Sequence, residues 1–137
     1  MSIEIKKCAV LGAGVMGAQI AGHIANAGIP SLLFDINEEL AKKGVEGLSK
    51  LKPAPLFSSK NSSLITPCTY DNDLDKLGDC DLIIEAVAEK IEIKHTVYKN
   101  LLPHLKGDTI LASNTSGIPL ANLVEVLPEE VQSRFLI

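Results

Sequence analysis

A glycine pattern between a predicted strand and a predicted helix constrains the fold of this chain more than any other feature. Gly12-Ala13-Gly14-Val15-Met16-Gly17 has the form G-x-G-x-x-G, follows an apolar run, and opens a segment rich in alanine and isoleucine at helical spacing. In such a turn Gly12 permits the sharp bend, Gly14 lets the backbone approach a diphosphate, and Gly17 lets the helix pack on the strand. The helix N-terminus adds N–H groups and partial positive charge. We therefore predict a dinucleotide-binding loop, with Val15 and Met16 also at the ligand.

Apolar runs typical of strands alternate with helical patterns along the rest of the sequence. The predicted strands cover 5–11, 31–35, 64–68, 80–87 and 108–113, and the predicted helices cover 15–27, 38–51, 90–105 and 119–127, with Asn37 capping the second. The prolines and serines of 52–63 indicate a loop, and 71–77 a brief helix or turn. Because apolar strands that alternate with helices form parallel sheets covered on both faces, we predict an α/β fold. It is a Rossmann-type doubly wound parallel sheet that occupies residues 1–137 as one domain.

Composition excludes several classes of partner. The 137 residues are 46% hydrophobic, which is enough for one domain with a core. A formal charge of −4 and 4% aromatic residues argue against nucleic acid and anionic membrane surfaces. The sequence has no run of 18 apolar residues for a membrane span and no signal peptide at its start. We therefore expect a cytoplasmic protein with no nucleic-acid partner and no membrane span.

The side chains that most often form catalytic or metal centres show no such pattern here. Three cysteines have no metal-ligand spacing and are predicted to be buried thiols, and three histidines are predicted to lie on the surface or pack between helices. These residues are Cys8, Cys68, Cys80, His23, His95 and His104. We expect no metal site and find no general base among them.

Asp35 is the acidic partner that a dinucleotide loop requires. It ends the second predicted strand 23 residues after Gly12, near the spacing of about 20 residues typical of such folds. A carboxylate there accepts hydrogen bonds from both hydroxyls of the adenosine ribose and would repel a 2′-phosphate, and the next basic residue is Lys42. The pattern therefore predicts NAD rather than NADP. Taken alone, Asp35 could also be a solvated carboxylate or a cap for the next helix.

Two further polar segments follow strands that end at the same edge of the predicted sheet, where ligands bind. Glu89 could hydrogen-bond a ribose, or it could be an acidic residue in the first turn of a helix. Lys94, about one turn later, is predicted from the residues alone to be a solvated side chain. Asn114-Thr115-Ser116-Gly117 could orient a substrate or a nicotinamide amide, or it could form an N-cap cluster before Pro119.

Three motifs together resemble the NAD-binding domain of L-3-hydroxyacyl-CoA dehydrogenases. They are the glycine pattern, Ile84-Glu85-Ala86-Val87-Ala88-Glu89 with Lys94, and Ala112-Ser113-Asn114-Thr115-Ser116, and the similarity runs over nearly the whole chain. Residues 113–120 and 51–55 look most like long bacterial proteins in which an enoyl-CoA hydratase unit is fused to the dehydrogenase.

The resemblance implies a reaction and roles for several residues. The reaction is NAD-dependent oxidation of 3-hydroxyacyl-CoA to 3-ketoacyl-CoA in fatty-acid β-oxidation. Ala86, Glu89 and Lys94 would contact NAD, and Asn114 would lie near the nicotinamide. Ser116 would hydrogen-bond the 3-oxygen of the substrate.

The resemblance also implies parts that this sequence does not contain. The family's general base is a histidine in a His-Phe-Phe-Asn-Pro motif, whereas Arg134-Phe135-Leu136-Ile137 ends the chain at the start of a predicted strand. We therefore expect a fragment that binds NAD without turnover and that normally works with a C-terminal domain of the same protein. Its uncovered apolar surface is expected to favour self-association. The segment 52–63 departs from the CoA-contacting hairpin of the compact enzymes, so no CoA contacts are assigned.

Two other functions remain open from the sequence. One is another NAD-dependent β-hydroxyacid dehydrogenase with a similar glycine loop. The other is a non-enzymatic regulatory domain that senses NAD, which would not need the turn at Asn114-Thr115-Ser116.

Overall fold

A six-stranded parallel sheet organises the residues that the computed structural model describes, which are 4–48 and 59–137. The strand order is β3-β2-β1-β4-β5-β6, the order of a doubly wound nucleotide-binding sheet, so the predicted fold is confirmed. The strands are β1 (Cys8–Leu11), β2 (Ser31–Asp35), β3 (Ile65–Thr69), β4 (Leu82–Glu85), β5 (Ile110–Ser113) and β6 (Phe135–Leu136). Every neighbouring pair is parallel.

The helices cover both faces of the sheet. They are α1 (Val15–Asn26), α2 (Glu38–Gly47), α3 (Ile91–Leu101), α4 (Leu120–Leu123) and α5 (Glu129–Gln132). Short 3-10 helices cover Ser59–Leu64, Leu74–Asp79, Leu102–His104 and Val124–Val126. None of the helices within the described ranges is long and apolar enough to cross a membrane.

Alternate residues of the central strands build two separate cores. Val10 and Leu33 pack with the alanines of α1 on one face. Leu11 and Phe34 pack on the other face with side chains of α3, α4 and α5, such as Tyr98. Because β1 is fully covered on both faces, its residues form the continuous apolar run that predicted a buried strand.

The predicted elements differ from the structure mainly at their ends. The second strand matches at both ends, whereas the fourth spans Leu82–Glu85 rather than 80–87, because its neighbour β1 ends at Leu11 where the backbone turns. The predicted helix 119–127 is wrong as one element: its α-helical part ends at Leu123, and Pro128 then precedes the unpredicted helix α5. A proline fits the start of a helix because its missing N–H has no partner there.

The second helix has its predicted cap, since Asn37 Oδ1 accepts the Leu40 N–H at 2.9 Å. The spacing of Leu40, Gly44 and Leu48 predicts that they line one face of this helix. Leu48 is buried, whereas Leu40 is 38% exposed. The end of this predicted helix at Leu51, the motif 51–55 and most of the predicted loop 52–63 lie outside the described residues.

Candidate functional site

The glycine pattern forms a bend between β1 and α1 that leaves little room at two of its three glycines. Gly12 has a φ of +108°, and a Cβ there would lie 2.5 Å from the Ala86 carbonyl oxygen. A Cβ on Gly17 would lie 1.7 Å from the Gly12 carbonyl oxygen. Both approaches are to backbone, which has little freedom to move aside. The predicted roles of Gly12 in the turn and of Gly17 in close packing are therefore confirmed by the geometry.

Gly14 differs from the other two because it faces open space. Apart from its own stretch of backbone, no atom of residues 4–48 and 59–137 lies within 4 Å of a Cβ placed there, and no side chain caps the helix that begins after it. Val15 and Met16 in the first turn of α1 are 67% and 56% exposed, and that turn contains no acidic residue. The N-terminus of this 12-residue helix therefore has room and free N–H groups for an anion, as a diphosphate requires.

Asp35 ties the end of β2 to the glycine loop. Its Oδ2 accepts the Ala13 N–H at 2.9 Å, and its Oδ1 accepts the Ile36 N–H at 2.7 Å. The alternative role as a helix cap is wrong, because Asn37 caps α2. The carboxylate is half-buried beside the loop, where it can accept hydrogen bonds from the hydroxyls of a bound ribose.

A cavity of about 310 Å³ lies between Asp35 and the segment that follows β4. Gly12, Ala86 and Val87 line it together with Tyr70 and Ile93. Ile93 is 40% exposed there, so the mouth of the cavity offers apolar surface to a flat heterocycle. Ala86, assigned from the resemblance, therefore lies at the predicted ligand site.

Tyr70 is a site residue that the sequence analysis missed. Its ring stacks on Phe34 with centroids 5.8 Å apart and lines the same cavity. Its hydroxyl is buried and has no hydrogen-bond partner among residues 4–48 and 59–137. Burial, followed by the charges of Asp35 and Glu85, raises the pKa of Tyr70 above its usual range, so the phenol stays protonated. Its position after β3 was the signal available in the sequence.

Glu89 joins the two loops that follow β4 and β5. Its Oε1 accepts the Thr115 hydroxyl, and its Oε2 accepts the Ser116 N–H at 3.0 Å and the Ser116 hydroxyl at 3.4 Å. These bonds, the Thr115 bond first, hold the pKa of Glu89 below its usual range. Glu89 precedes the first residue of α3, so its interpretation as an acid of the first helical turn is wrong.

Lys94 is buried rather than solvated. It is 1% exposed, and its Nζ lies 2.6 Å from Glu85 Oε2, 3.4 Å from the Val87 carbonyl oxygen and 3.7 Å from Glu89 Oε1. The prediction of a solvated face residue is therefore wrong. Lys94 is buried because a second carboxylate besides Glu89, that of Glu85, lies beneath the same loop and pairs with its ammonium.

Glu85 is the second site residue that the sequence analysis missed. It is fully buried at the end of β4, where its Oε1 accepts the hydroxyls of Tyr98 and Ser113, both at 2.6 Å. Its Oε2 accepts the Lys94 ammonium and the Val87 N–H, the latter at 3.0 Å. Burial and the bond to Glu85 raise the pKa of Tyr98 above its usual range. The available signal was a charged residue inside an otherwise apolar strand.

The turn after β5 is held by Glu85 and Glu89 and caps no helix. The Asn114 N–H donates to the Glu85 carbonyl oxygen at 2.8 Å, and the Asn114 side chain is exposed. Helix α4 begins at Leu120 with no side-chain cap, so the N-cap interpretation is wrong. Ser116 is exposed beside Glu89, at the same edge of the sheet as the cavity.

The histidines lie away from this polar cluster. His95 Nε2 is 2.7 Å from the Asn122 carbonyl oxygen, a contact between α3 and α4, as predicted for a helix-packing residue. His23 is exposed on α1, and His104 ends the 3-10 helix after α3. Within the part of the chain that the structure describes, no group of His, Cys, Asp or Glu could hold a metal ion.

Sequence comparison matches residues 7–137 to the family described as "3-hydroxyacyl-CoA dehydrogenase, NAD binding domain". A Deinococcus radiodurans protein named "Probable 3-hydroxyacyl-CoA dehydrogenase" is 43% identical over 141 residues, which are 98% of this chain and 41% of that protein. The fatty acid oxidation complex subunit alpha of Psychrobacter sp. (strain PRwf-1) is 38% identical over 132 residues, which are 90% of this chain and 18% of that subunit. The chain thus spans less than half of either relative.

Solved structures with related sequences share the fold. The crystal structure of M. tuberculosis FadB2 superposes with a TM-score of 0.81 at 30% identity, covering 97% of this chain and 48% of that one. The 3-hydroxybutyryl-CoA dehydrogenase of Escherichia coli also gives a TM-score of 0.81, at 27% identity, covering 95% of this chain and 29% of that one.

Proposed function

Because the chain belongs to the NAD-binding domain family of 3-hydroxyacyl-CoA dehydrogenases, we propose that it holds NAD for the oxidation of 3-hydroxyacyl-CoA to 3-ketoacyl-CoA. Its cofactor is NAD. The observation that carries the proposal is the open position at Gly14, at the uncapped N-terminus of α1, beside the carboxylate of Asp35. The setting is fatty-acid oxidation, as in the names of the longer relatives.

Each half of the cofactor has its own set of residues in this proposal. The adenosine ribose lies at Asp35, and the adenine ring lies in the cavity lined by Tyr70 and Ile93. The diphosphate takes N–H groups at the start of α1, where the first-turn residues Val15 and Met16 are exposed. The nicotinamide half lies on the other side of β1, toward Glu89 and Asn114 in the loops after β4 and β5 and Lys94 of α3. Ala86 contacts NAD from the cavity.

The chemistry at the substrate involves Ser116. When bound, NAD supplies a carbon that accepts hydride from C3 of the substrate. The Ser116 hydroxyl makes only a long contact of 3.4 Å with Glu89, so it is free to turn and donate to the 3-oxygen. This would fix the substrate carbon against the cofactor. Proton removal from the 3-hydroxyl needs a base, and we assign that role to a residue outside these 137.

We propose that a further domain, of the kind present in the longer relatives, supplies the base and the acyl pocket. The match to relatives of which this chain is 18% to 41% supports this proposal. Exposed apolar side chains, among them Leu120 at 47% and Leu136 at 55%, are the surface such a domain could cover. We also propose a cytoplasmic setting.

A titration with reduced cofactors tests the proposal. We expect saturable NADH binding and rejection of NADPH, because Asp35 repels a 2′-phosphate and donates nothing to it. Asp35→Ala should weaken NADH binding about ten-fold, so the affinities for NADH and NADPH should become more similar. Fluorescence of the bound dihydronicotinamide measures both affinities.

A matched control is Glu125→Ala, which removes an exposed carboxylate elsewhere on the chain. It should leave both affinities unchanged. Failure of the wild-type chain to bind NADH would overturn the proposed function. If Asp35→Ala still prefers NADH over NADPH as strongly as the wild type does, another residue recognises the ribose.

A further inference from the structure

Glu85 lies beneath the proposed nicotinamide site without reaching it, and we propose that it is a positioning residue for that half of the cofactor. It acts through Lys94 and Glu89. The inference rests on the proposed function and adds to it a buried residue that fixes the exposed ones.

The contacts form a continuous line from the core to the surface. Glu85 is fully buried and its Oε2 lies 2.6 Å from the Lys94 ammonium. That ammonium also reaches the Val87 carbonyl oxygen at 3.4 Å and Glu89 Oε1 at 3.7 Å. Glu89, whose side chain is 43% exposed, is the solvent-facing end of this line and holds the backbone of Ser116. Moving Glu85 would therefore displace groups that face the ligand.

Glu85 is itself held rigidly. Tyr98 from α3 and Ser113 from β5 each donate a hydroxyl to its Oε1 at 2.6 Å. The Val87 N–H donates to Oε2 at 3.0 Å, so the carboxylate also fixes the loop after its own strand. Four donors from three parts of the chain leave this carboxylate a single orientation.

Stability alone gives no reason for a buried ion pair at this place. Replacing such a pair by apolar side chains of similar volume is often neutral or stabilising, because both charges lose their hydration on burial. An ammonium placed by a fixed carboxylate does provide a defined point of positive charge beneath Glu89. We infer that the pair serves the alignment of Glu89 and the loop for the cofactor.

The test compares two ligands that differ by the nicotinamide half. NADH contains it, whereas ADP contains only the adenosine and diphosphate parts. Glu85→Gln keeps the shape of the side chain and removes its charge. We expect NADH binding to weaken about ten-fold, while ADP binding stays within about two-fold of the wild type. Dihydronicotinamide fluorescence measures the first affinity and calorimetry the second.

Two more variants separate positioning from a general loss of structure. Glu85→Asp keeps the charge but shortens its reach, so it should also weaken NADH binding relative to ADP binding, and it decides the matter if Glu85→Gln does not fold. Thr109→Val is the control, since it removes a buried hydrogen bond, to the Cys80 carbonyl oxygen, before β5 and outside this cluster. It should keep the wild-type ratio of the two affinities within about two-fold.

Three outcomes would overturn the inference. One is wild-type NADH affinity in the folded Glu85 variants. Another is an equal loss of both ligands, which a purely structural role predicts. The third is a wild-type chain that binds NADH no better than ADP. Absence of NADH binding by the wild type would instead overturn the proposed function.

Discussion

The three glycines of the β1–α1 loop face different surroundings in the structure. Gly12 and Gly17 approach backbone carbonyls, while Gly14 faces space that is open in the structure. Gly14 has a φ of −68°, which any residue adopts, so its glycine is not required by the fold. At the scale of single residues, the fold accounts for two of these glycines, and the proposed contact with the diphosphate would account for the third.

This difference predicts opposite outcomes for two alanine substitutions. Gly14→Ala should leave the free energy of unfolding unchanged or raise it by about 0.4–1 kcal/mol, because alanine restricts the conformations of the unfolded chain. It should weaken NADH binding at least about ten-fold, because the methyl group keeps the diphosphate from the backbone. Gly17→Ala should destabilise the fold by about 1–3 kcal/mol, because its Cβ would overlap the Gly12 carbonyl oxygen.

Thermal unfolding together with an NADH titration measures both effects, and each variant serves as the control for the other. Unchanged NADH affinity in Gly14→Ala would place the diphosphate elsewhere on the protein.

Residues with a known backbone signature were predictable, and residues defined by distant partners were not. The glycines and Asp35 lie close together in sequence and were assigned from their spacing. The surroundings of Glu85 depend on Tyr98 of α3 and Ser113 of β5, and those of Lys94 depend on Glu85 of β4. Local sequence patterns therefore predicted that Lys94 is a solvated side chain.

At the scale of elements, Glu89 connects the β4–α3 loop to the β5–α4 loop. Its carboxylate accepts hydrogen bonds from Thr115 and Ser116, which lower its pKa below the ordinary value of 4.5. A lowered folded pKa means that the connection stabilises the fold above pH 4.5 and that this stability is lost as the pH falls through the folded pKa.

We therefore predict that Glu89→Gln flattens the acid side of the stability profile. The melting temperature of the wild type should fall more steeply than that of Glu89→Gln as the pH drops below about 4.5. Glu125→Gln, an exposed position away from this connection, should follow the wild-type profile. Parallel profiles for wild type and Glu89→Gln would contradict a role for this carboxylate in joining the loops.

The type of most elements was predictable, whereas their ends depended on tertiary contacts. The apolar run 80–87 contains the residues of β4, yet pairing stops at Glu85 because β1 offers no partner beyond Leu11. The helix predicted over 119–127 divides, because leucine and valine at helical spacing do not distinguish an α-helix from successive short turns. Helix α5 was missed because its four residues are too few to show a period.

At the scale of the whole molecule, the burial of the three cysteines shows how completely the interior is shielded from solvent. Cys8, Cys68 and Cys80 are each at most 1% exposed, as predicted for buried thiols. Burial raises the pKa of Cys8 and Cys68 to about 11 and that of Cys80 to about 12. They therefore stay protonated and inaccessible at neutral pH.

We predict that alkylation of these thiols requires opening of the sheet. Mass spectrometry after iodoacetamide treatment should show little modification of the native chain at neutral pH and complete modification in denaturant. NADH should slow alkylation of the native chain, and more strongly as its occupancy rises, because it binds and stabilises the folded state alone. Rapid modification of the native chain would mean that the sheet opens without unfolding.

The central place of β1 also sets the order in which this protein can be assembled during synthesis. The strand pairs with β2 on one side and with β4 on the other. The β3-β2-β1 half of the sheet is complete once residue 69 has been made, whereas the other edge of β1 stays unpaired until Leu82–Glu85 follow. An apolar strand edge in a nascent chain is open to aggregation. The glycine loop is thus translated early but reaches its final shape only when the Ala86 N–H bonds the Leu11 carbonyl oxygen, so a newly made chain completes this loop late.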